Sequence, residues 1–216
     1  MIRNLVFDLD GTLTDPLEGI GGCIRHAMEG LGREAPALND LTWCIGPPLR
    51  QSFAQLLDSK DDDEVEAALT LYRQRFAAVG MYENRVYEGV RALLAGQREE
   101  GRRLFVATTK PHVYAGPILD HFDLGHWFDR VSGSELDGRF SDKRELLASL
   151  VAGESLDPAQ SVMIGDRRFD IEAARAVGLH SLAVTYGYGG ASELADAAPD
   201  ATCDTPMAIA GALSSL

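Results

Sequence analysis

The feature that most constrains this chain is a change in the spacing of its apolar residues. It opens with a short apolar run, Leu5-Val6-Phe7, closed by Asp8. A run that short, ended by a turn-forming acid, reads as a buried strand. Next come Ile20, Cys23, Ile24, Ala27, Met28 and Leu31 at helical spacing, then Phe53, Leu56 and Leu57 beyond Gly46-Pro47-Pro48, then Val65, Leu69, Tyr72 and Phe76. Residues 16–84 are therefore expected to be helical throughout. From Glu88 the period alternates. Apolar runs at 104–107, 130–132, 162–164 and 182–184 read as strands, separated by helical patterns near Val90, Pro111, Leu146 and Ile171, with two short helices closing the chain. Alternating strand and helix implies a parallel sheet wound with helices. The expected fold is thus α/β: a doubly wound, Rossmann-like core of residues 1–15 and 85–216, carrying an inserted all-helical domain of residues 16–84.

Composition narrows what such a fold can do. With 45% hydrophobic and 25% charged residues in 216, the chain is that of an ordinary globular protein rather than a disordered one. Its three cysteines, Cys23, Cys44 and Cys203, lie too far apart for zinc-site spacing, and no disulfide framework is indicated. That usage fits a reducing, cytoplasmic setting. No run of about 18 apolar residues occurs, which argues against a membrane partner. A net charge of -13 would repel a nucleic acid polymer. Only Lys60, Lys110 and Lys143 can supply an ammonium to a site.

In doubly wound sheets, ligands bind beyond the carboxyl ends of the strands. At those ends stand Asp8, Asp10 and Thr12, then Thr108, Thr109 and Lys110, then Gly165, Asp166 and Asp170; Lys143 precedes the helix leading to the strand at 162–164. Gathering Asp8, Asp10, Asp166 and Asp170 is costly, since like charges about 4 Å apart repel by about 4 kcal/mol at a surface-like dielectric. A cation must sit among them. Oxygen donors alone favour a hard ion, and Mg²⁺ suits a few carboxylates completed by water and phosphate. An ionised aspartate is itself a nucleophile at neutral pH, and a second acid two residues on can serve proton transfer. Phosphoryl transfer needs little more than positioning and neutralised charge.

The segment Asp8-Leu9-Asp10-Gly11-Thr12-Leu13-Thr14-Asp15 resembles the first motif of the haloacid dehalogenase superfamily. Val106-Ala107-Thr108 resembles its second, Lys143 its third and Gly165-Asp166-Arg167-Arg168-Phe169-Asp170 its fourth. The insert between the first two is similar to the helical cap of phosphoglycolate phosphatases. Ile45-Gly46-Pro47-Pro48-Leu49, Gly133-Ser134-Glu135-Leu136-Asp137-Gly138 and Tyr186-Gly187-Tyr188-Gly189 resemble the 5'-nucleotidase-like branch.

The resemblance implies a Mg²⁺-dependent phosphatase acting on a small phosphorylated metabolite, a 5'-nucleotide or 2-phosphoglycolate. Asp8 would be the nucleophile. Asp10 would be the general acid and base and give its carbonyl to the metal, which Asp166 and Asp170 would also hold. Thr108 would hold phosphoryl oxygens and Lys143 would bridge nucleophile and phosphate. Ser141-Asp142-Lys143-Arg144 lacks the prolines that commonly follow the family's lysine, so Lys110 competes for that role. Thr109, Lys110 and Arg50 are the candidate substrate contacts. An acid at position 10 disfavours carbon–halogen cleavage. A phosphomutase and a non-catalytic binding protein are the alternatives, and either a monomer or a homodimer is compatible.

Other features carry blander readings. Asp61-Asp62-Asp63-Glu64 lacks the glycine and distal glutamate of a calcium loop and reads as a charged helix start. Gly187-Tyr188-Gly189-Gly190 reads as a strand-to-helix turn, and no histidine is assigned a role.

Overall fold

The computed structural model describes residues 1–59 and 61–216, so Lys60 lies outside the described residues. The chain divides into two compact units, Met1–Asp15 with Val86–Leu216, and Pro16–Arg85. In chain order the elements are β1 (Asn4–Phe7), β2 (Thr14–Asp15), α1 (Leu17–Gly30), α2 (Leu49–Leu57), α3 (Asp62–Ala78) and β3 (Arg85–Val86). There follow α4 (Val90–Glu99), β4 (Arg103–Pro111), α5 (His112–His121), β5 (Arg130–Ser134), α6 (Lys143–Gly153) and β6 (Ser161–Gly165). The chain ends with α7 (Arg168–Val177), β7 (His180–Val184), α8 (Ala191–Ala197), β8 (Ala201–Cys203) and α9 (Pro206–Ala212).

The larger unit is built on a six-stranded sheet in the order β5-β4-β1-β6-β7-β8, and every pairing in it is parallel. A parallel sheet covered on both faces needs strands that are apolar throughout rather than alternating. Leu5, Val6 and Phe7 on β1, Leu104, Phe105, Val106 and Ala107 on β4, and Val162, Met163 and Ile164 on β6 all have no solvent exposure. On one face Val6, Phe105 and Met163 pack against Leu146, Leu147 and Leu150 of α6 and Ala173 and Ala174 of α7. The fold class matches the sequence expectation. β8 was not anticipated: a three-residue strand has no period to read, and it exists by pairing with β7.

Strand order fixes where a site can form. After β1 the sheet grows outward through β4 and β5, then returns to the other side of β1 with β6. That reversal opens a crevice beyond the ends of β1 and β6, the place where such sheets bind ligands. The register Phe7↔Ile164 sets those two ends level.

The smaller unit is helical. The buried stripe of α1 is Ile20, Cys23, Ile24, Ala27 and Met28, and that of α3 is Val65, Ala68, Leu69, Tyr72 and Phe76. Tyr72 stacks on Phe76 at 5.4 Å and meets Phe53 of α2 edge-on. Asp61 caps α3 by accepting a hydrogen bond from the Asp63 amide at 3.0 Å, so this acidic run begins a helix. No described helix is long and apolar enough to cross a membrane.

Phe105 lies at the centre of the sheet-facing cluster. Phe105→Ala is expected to lower the free energy of unfolding by about 3–5 kcal/mol, measured by urea denaturation. A loss below about 1 kcal/mol would show that β4 is not an interior strand.

Candidate active site

The site is assembled at the crevice by two turns, the start of α6 and the end of β4. The first leaves β1. The Asp8 amide donates to the Ile164 carbonyl at 2.9 Å, which fastens the start of the turn to β6. The chain then winds tightly, with the amides of Leu13 and Thr14 both donating to the Leu9 carbonyl. Gly11 has φ +82°, and a Cβ there would lie 2.2 Å from Asp166 Oδ2. Only glycine satisfies both the left-handed backbone and that approach.

The second turn joins β6 to α7. Asp166 is fully buried at the end of β6. Asp170, also buried, accepts a hydrogen bond from the Arg167 amide at 3.0 Å through Oδ2, so it serves the first turn of α7 while Oδ1 faces the site. The third contribution is Lys143, the first residue of α6, whose helix is capped by Asp142 accepting from the Arg144 amide at 2.8 Å. Its ammonium lies 2.9 Å from Asp8 Oδ1 and also contacts Asp170 Oδ1.

β4 supplies the other wall. Its pairing with β5 slips between Thr108 and Pro111, an irregularity of the kind that re-aims side chains beside active sites. Thr108 is buried, and its hydroxyl accepts from the Lys110 amide at 3.2 Å. The Thr109 carbonyl accepts from the Ser134 hydroxyl at 2.6 Å. Lys110, the competitor of Lys143 on the sequence reading, is buried and places its ammonium 2.7 Å from Asp10 Oδ2. The two lysines therefore have separate partners: Lys143 bridges Asp8 and Asp170, and Lys110 pairs with Asp10.

Burial dominates the electrostatics. It raises Asp166 well above the ordinary carboxylate range, with the charges of Asp170 and Asp8 adding to it. Burial also raises Asp10, and Lys110 opposes the shift. Asp170 is pushed up to about 6 by burial, with Lys143 opposing and Asp8 adding. Burial works against a charged Lys143, yet the fields of Asp170 and Asp8 outweigh it and hold its pKa above the ordinary lysine value.

The donor set fits a hard cation. Ligand oxygens of Asp8, Asp166 and Asp170 all lie within 4.8 Å of one another. Among the described residues Asp166 Oδ1 is buried with no hydrogen-bond partner, and Asp8 Oδ1 and Asp170 Oδ1 meet the Lys143 ammonium. Lone pairs left unsatisfied at such depth are costly unless a cation takes them.

Arg50, a candidate substrate contact, belongs to the helical unit. It sits in the first turn of α2 in the helical unit, half exposed, paired with Asp62 at 3.3 Å and with Glu66. The strand-to-helix turn expected at residues 187–190 lies between β7 and α8, but its contact with the site was not read from the sequence. The Tyr188 amide donates to Asp166 Oδ2 at 2.7 Å, and Glu193 accepts from Arg167 Nε at 2.9 Å and from the Arg168 amide at 3.0 Å. The alternating glycines of Tyr186-Gly187-Tyr188-Gly189 were the available signal, since glycine marks close backbone approach.

With this geometry the chain belongs to the haloacid dehalogenase-like hydrolase family, whose model matches residues 5–184. Within that family it is similar to a 5'-nucleotidase of Pseudomonas aeruginosa, 41% identical over 98% of this chain and 96% of the relative. It is also similar to the tyrosine-protein kinase PtkA of Mycobacterium tuberculosis, 36% identical over 87% of this chain and 63% of the relative. A phosphoglycolate phosphatase of Pseudomonas putida is 29% identical over 96% of this chain and 78% of the relative. The crystal structure of a predicted phosphatase from Clostridium acetobutylicum superposes with a TM-score of 0.94 at 35% identity, covering all of both chains. The protein is a phosphatase of this family, a phosphoric monoester hydrolase.

The raised pKa of Asp170 sets a pH dependence for the metal-free protein. Its folded value of about 6 lies above the ordinary 3.8, so folding favours the protonated form. That contribution is complete below pH ~4 and is lost as pH rises through ~6. With chelator present, urea unfolding is expected to show stability falling across this window. Stability rising steadily there would contradict the arrangement.

Proposed function

We propose that the chain hydrolyses a small phosphomonoester through a phospho-aspartate on Asp8, with a 5'-nucleotide ranked before 2-phosphoglycolate as substrate. The observation that carries the chemistry is the Lys143 ammonium lodged between Asp8 and Asp170, with Asp10 two residues beyond the nucleophile and held by its own lysine. The relative named 5'-nucleotidase, matched over nearly its whole length, supports the ranking of substrates.

In the first half-reaction an oxygen of Asp8 attacks phosphorus as the bond from phosphorus to the ester oxygen breaks. Asp10 gives its proton to that oxygen, and burial, which favours its protonated form, suits it to the task. In the second half-reaction Asp10 takes a proton from water, water oxygen attacks phosphorus, and the bond to Asp8 breaks to release phosphate. Lys143 keeps positive charge beside the attacking carboxylate, and the Thr108 hydroxyl holds phosphoryl oxygens. Of the two lysines, Lys143 takes the role beside the transferring group. Lys110, with Thr109, serves as a substrate contact, and Arg50 remains a candidate contact from the helical unit.

The cation such a site takes is Mg²⁺, held by the side chains of Asp8, Asp166 and Asp170 and by the Asp10 carbonyl; when bound it supplies neutralisation of charge on the phosphoryl group. Because the whole chain carries a net charge of -13, attraction of an anionic substrate falls to these local cations.

Phosphate release over a panel of nucleotides, sugar phosphates and 2-phosphoglycolate should give the highest kcat/KM for a 5'-nucleotide, with water rather than a sugar or tyrosine hydroxyl as acceptor. Asp8→Asn is expected to remove turnover by several orders of magnitude with an unchanged fold; more than a tenth of the activity surviving refutes the nucleophile. Mg²⁺ at 100 times its dissociation constant should raise unfolding free energy by about 2.7 kcal/mol, and a midpoint indifferent to Mg²⁺ and chelator would rule out the cation.

A further inference from the structure

The tyrosines of the loop after β7 have no part in the chemistry, yet they are fastened to the segment that carries Asp8 and Asp10. The Tyr186 hydroxyl donates to the Thr12 carbonyl at 2.8 Å. The Tyr188 hydroxyl donates to Asp15 Oδ1 and shares a hydrogen bond with the Tyr87 hydroxyl. The ring of Tyr87 meets that of Tyr186 edge-on at 4.9 Å. Burial raises all three phenols well above the ordinary tyrosine value, so their hydroxyls stay protonated.

Between these anchors the backbone of the loop closes on Asp166. A Cβ at position 187 would lie 2.3 Å from the Gly11 carbonyl oxygen and 2.4 Å from Asp166 Cβ, and one at position 189 would lie 1.9 Å from the Asp166 carbonyl oxygen. Gly187 and Gly189 thus let the Tyr188 amide reach Asp166 Oδ2 at 2.7 Å. That hydrogen bond takes one carboxylate oxygen and leaves the other, Oδ1, buried and without a partner among the described residues, in an acid that offers an oxygen within 4.8 Å of those of Asp8 and Asp170. The bearing of Asp166 is therefore set by where the amide of Tyr188 stands, and that amide is set by where its phenol is tied.

The geometry points to Tyr188, through its hydroxyl on Asp15, as a positioning residue for the cation-binding oxygen of Asp166. The inference rests on the cation site proposed above. A core tyrosine that only filled space would need no hydroxyl partner, and phenylalanine would replace it at little cost to metal binding. A positioning tyrosine loses affinity for the cation when the hydroxyl goes, and the loss is made good by more cation because the ligands themselves remain.

The experiment compares wild type, Tyr188→Phe, Asp15→Asn and Asp15→Leu. Mg²⁺ alone is titrated by calorimetry, and activity on an aryl phosphate is followed against Mg²⁺ concentration. The expected result for Tyr188→Phe is a Mg²⁺ dissociation constant raised about tenfold, with kcat at saturating Mg²⁺ within twofold of wild type. Asp15→Leu should match it, and Asp15→Asn, which keeps an acceptor oxygen, should recover most of the affinity. Equal Mg²⁺ affinity in wild type and both hydroxyl-severing variants, or a fall in kcat that saturating Mg²⁺ does not restore, overturns the inference. If Tyr188→Phe fails to fold, the Asp15→Asn and Asp15→Leu pair decides alone. A wild type that binds no Mg²⁺ overturns instead the cation site itself.

Discussion

Mutual repulsion among buried carboxylates is the constraint on which this structure turns. Asp8, Asp166 and Asp170 are each less than a tenth exposed, and their oxygens converge. Such an arrangement is unfavourable unless positive charge is placed among them. The chain answers with one ammonium bridging two of the acids. It places that lysine at the first position of a helix, where the packed stem of α6 fixes its reach. What remains unbalanced is the third acid, whose buried oxygen lacks a partner among the described residues. Such an atom is costly to leave unsatisfied, and on that cost the proposed cation site rests.

Sheet topology explains why these acids meet although more than 150 residues of sequence separate the first from the last. β1 and β6 are neighbours with level ends, and each ends in a turn that starts with aspartate chemistry. The apolar strands beneath them cannot shift register without exposing fully buried side chains. The site inherits its rigidity from the core under it. Its groups stand in the turns after β1 and β6, at the first turns of α6 and α7 and at the end of β4, where side chains can point beyond the sheet.

How much of this could be read in advance depends on what carries the information. The strands of the core were legible because a buried parallel strand is an unbroken apolar run, and Leu5-Val6-Phe7 and Val162-Met163-Ile164 can hardly be anything else. The acids Asp8, Asp10, Asp166 and Asp170 were legible because ionised groups at strand ends need a reason. Lys110 was legible as a candidate contact but its partner was not: it lies three residues past the expected strand, where β4 continues with a slipped register, and it pairs with Asp10. The part played by Tyr188 was invisible for a deeper reason. The group it offers Asp166 is a backbone amide, which every residue but proline possesses, and its selection is a matter of tertiary placement. Arg50, whose charge invites a role in ligand contact, pairs with Asp62 and Glu66 of helix α3 in the same unit.

One carboxylate has a double allegiance whose consequence is dynamic. Asp170 gives one oxygen to the Arg167 amide and turns the other toward Lys143. Fraying of the first turn of α7 and disassembly of the charged cluster are therefore a single event. The solvent-exchange rate of that one amide becomes a built-in gauge of how tightly the centre is held together, readable without any substrate at all.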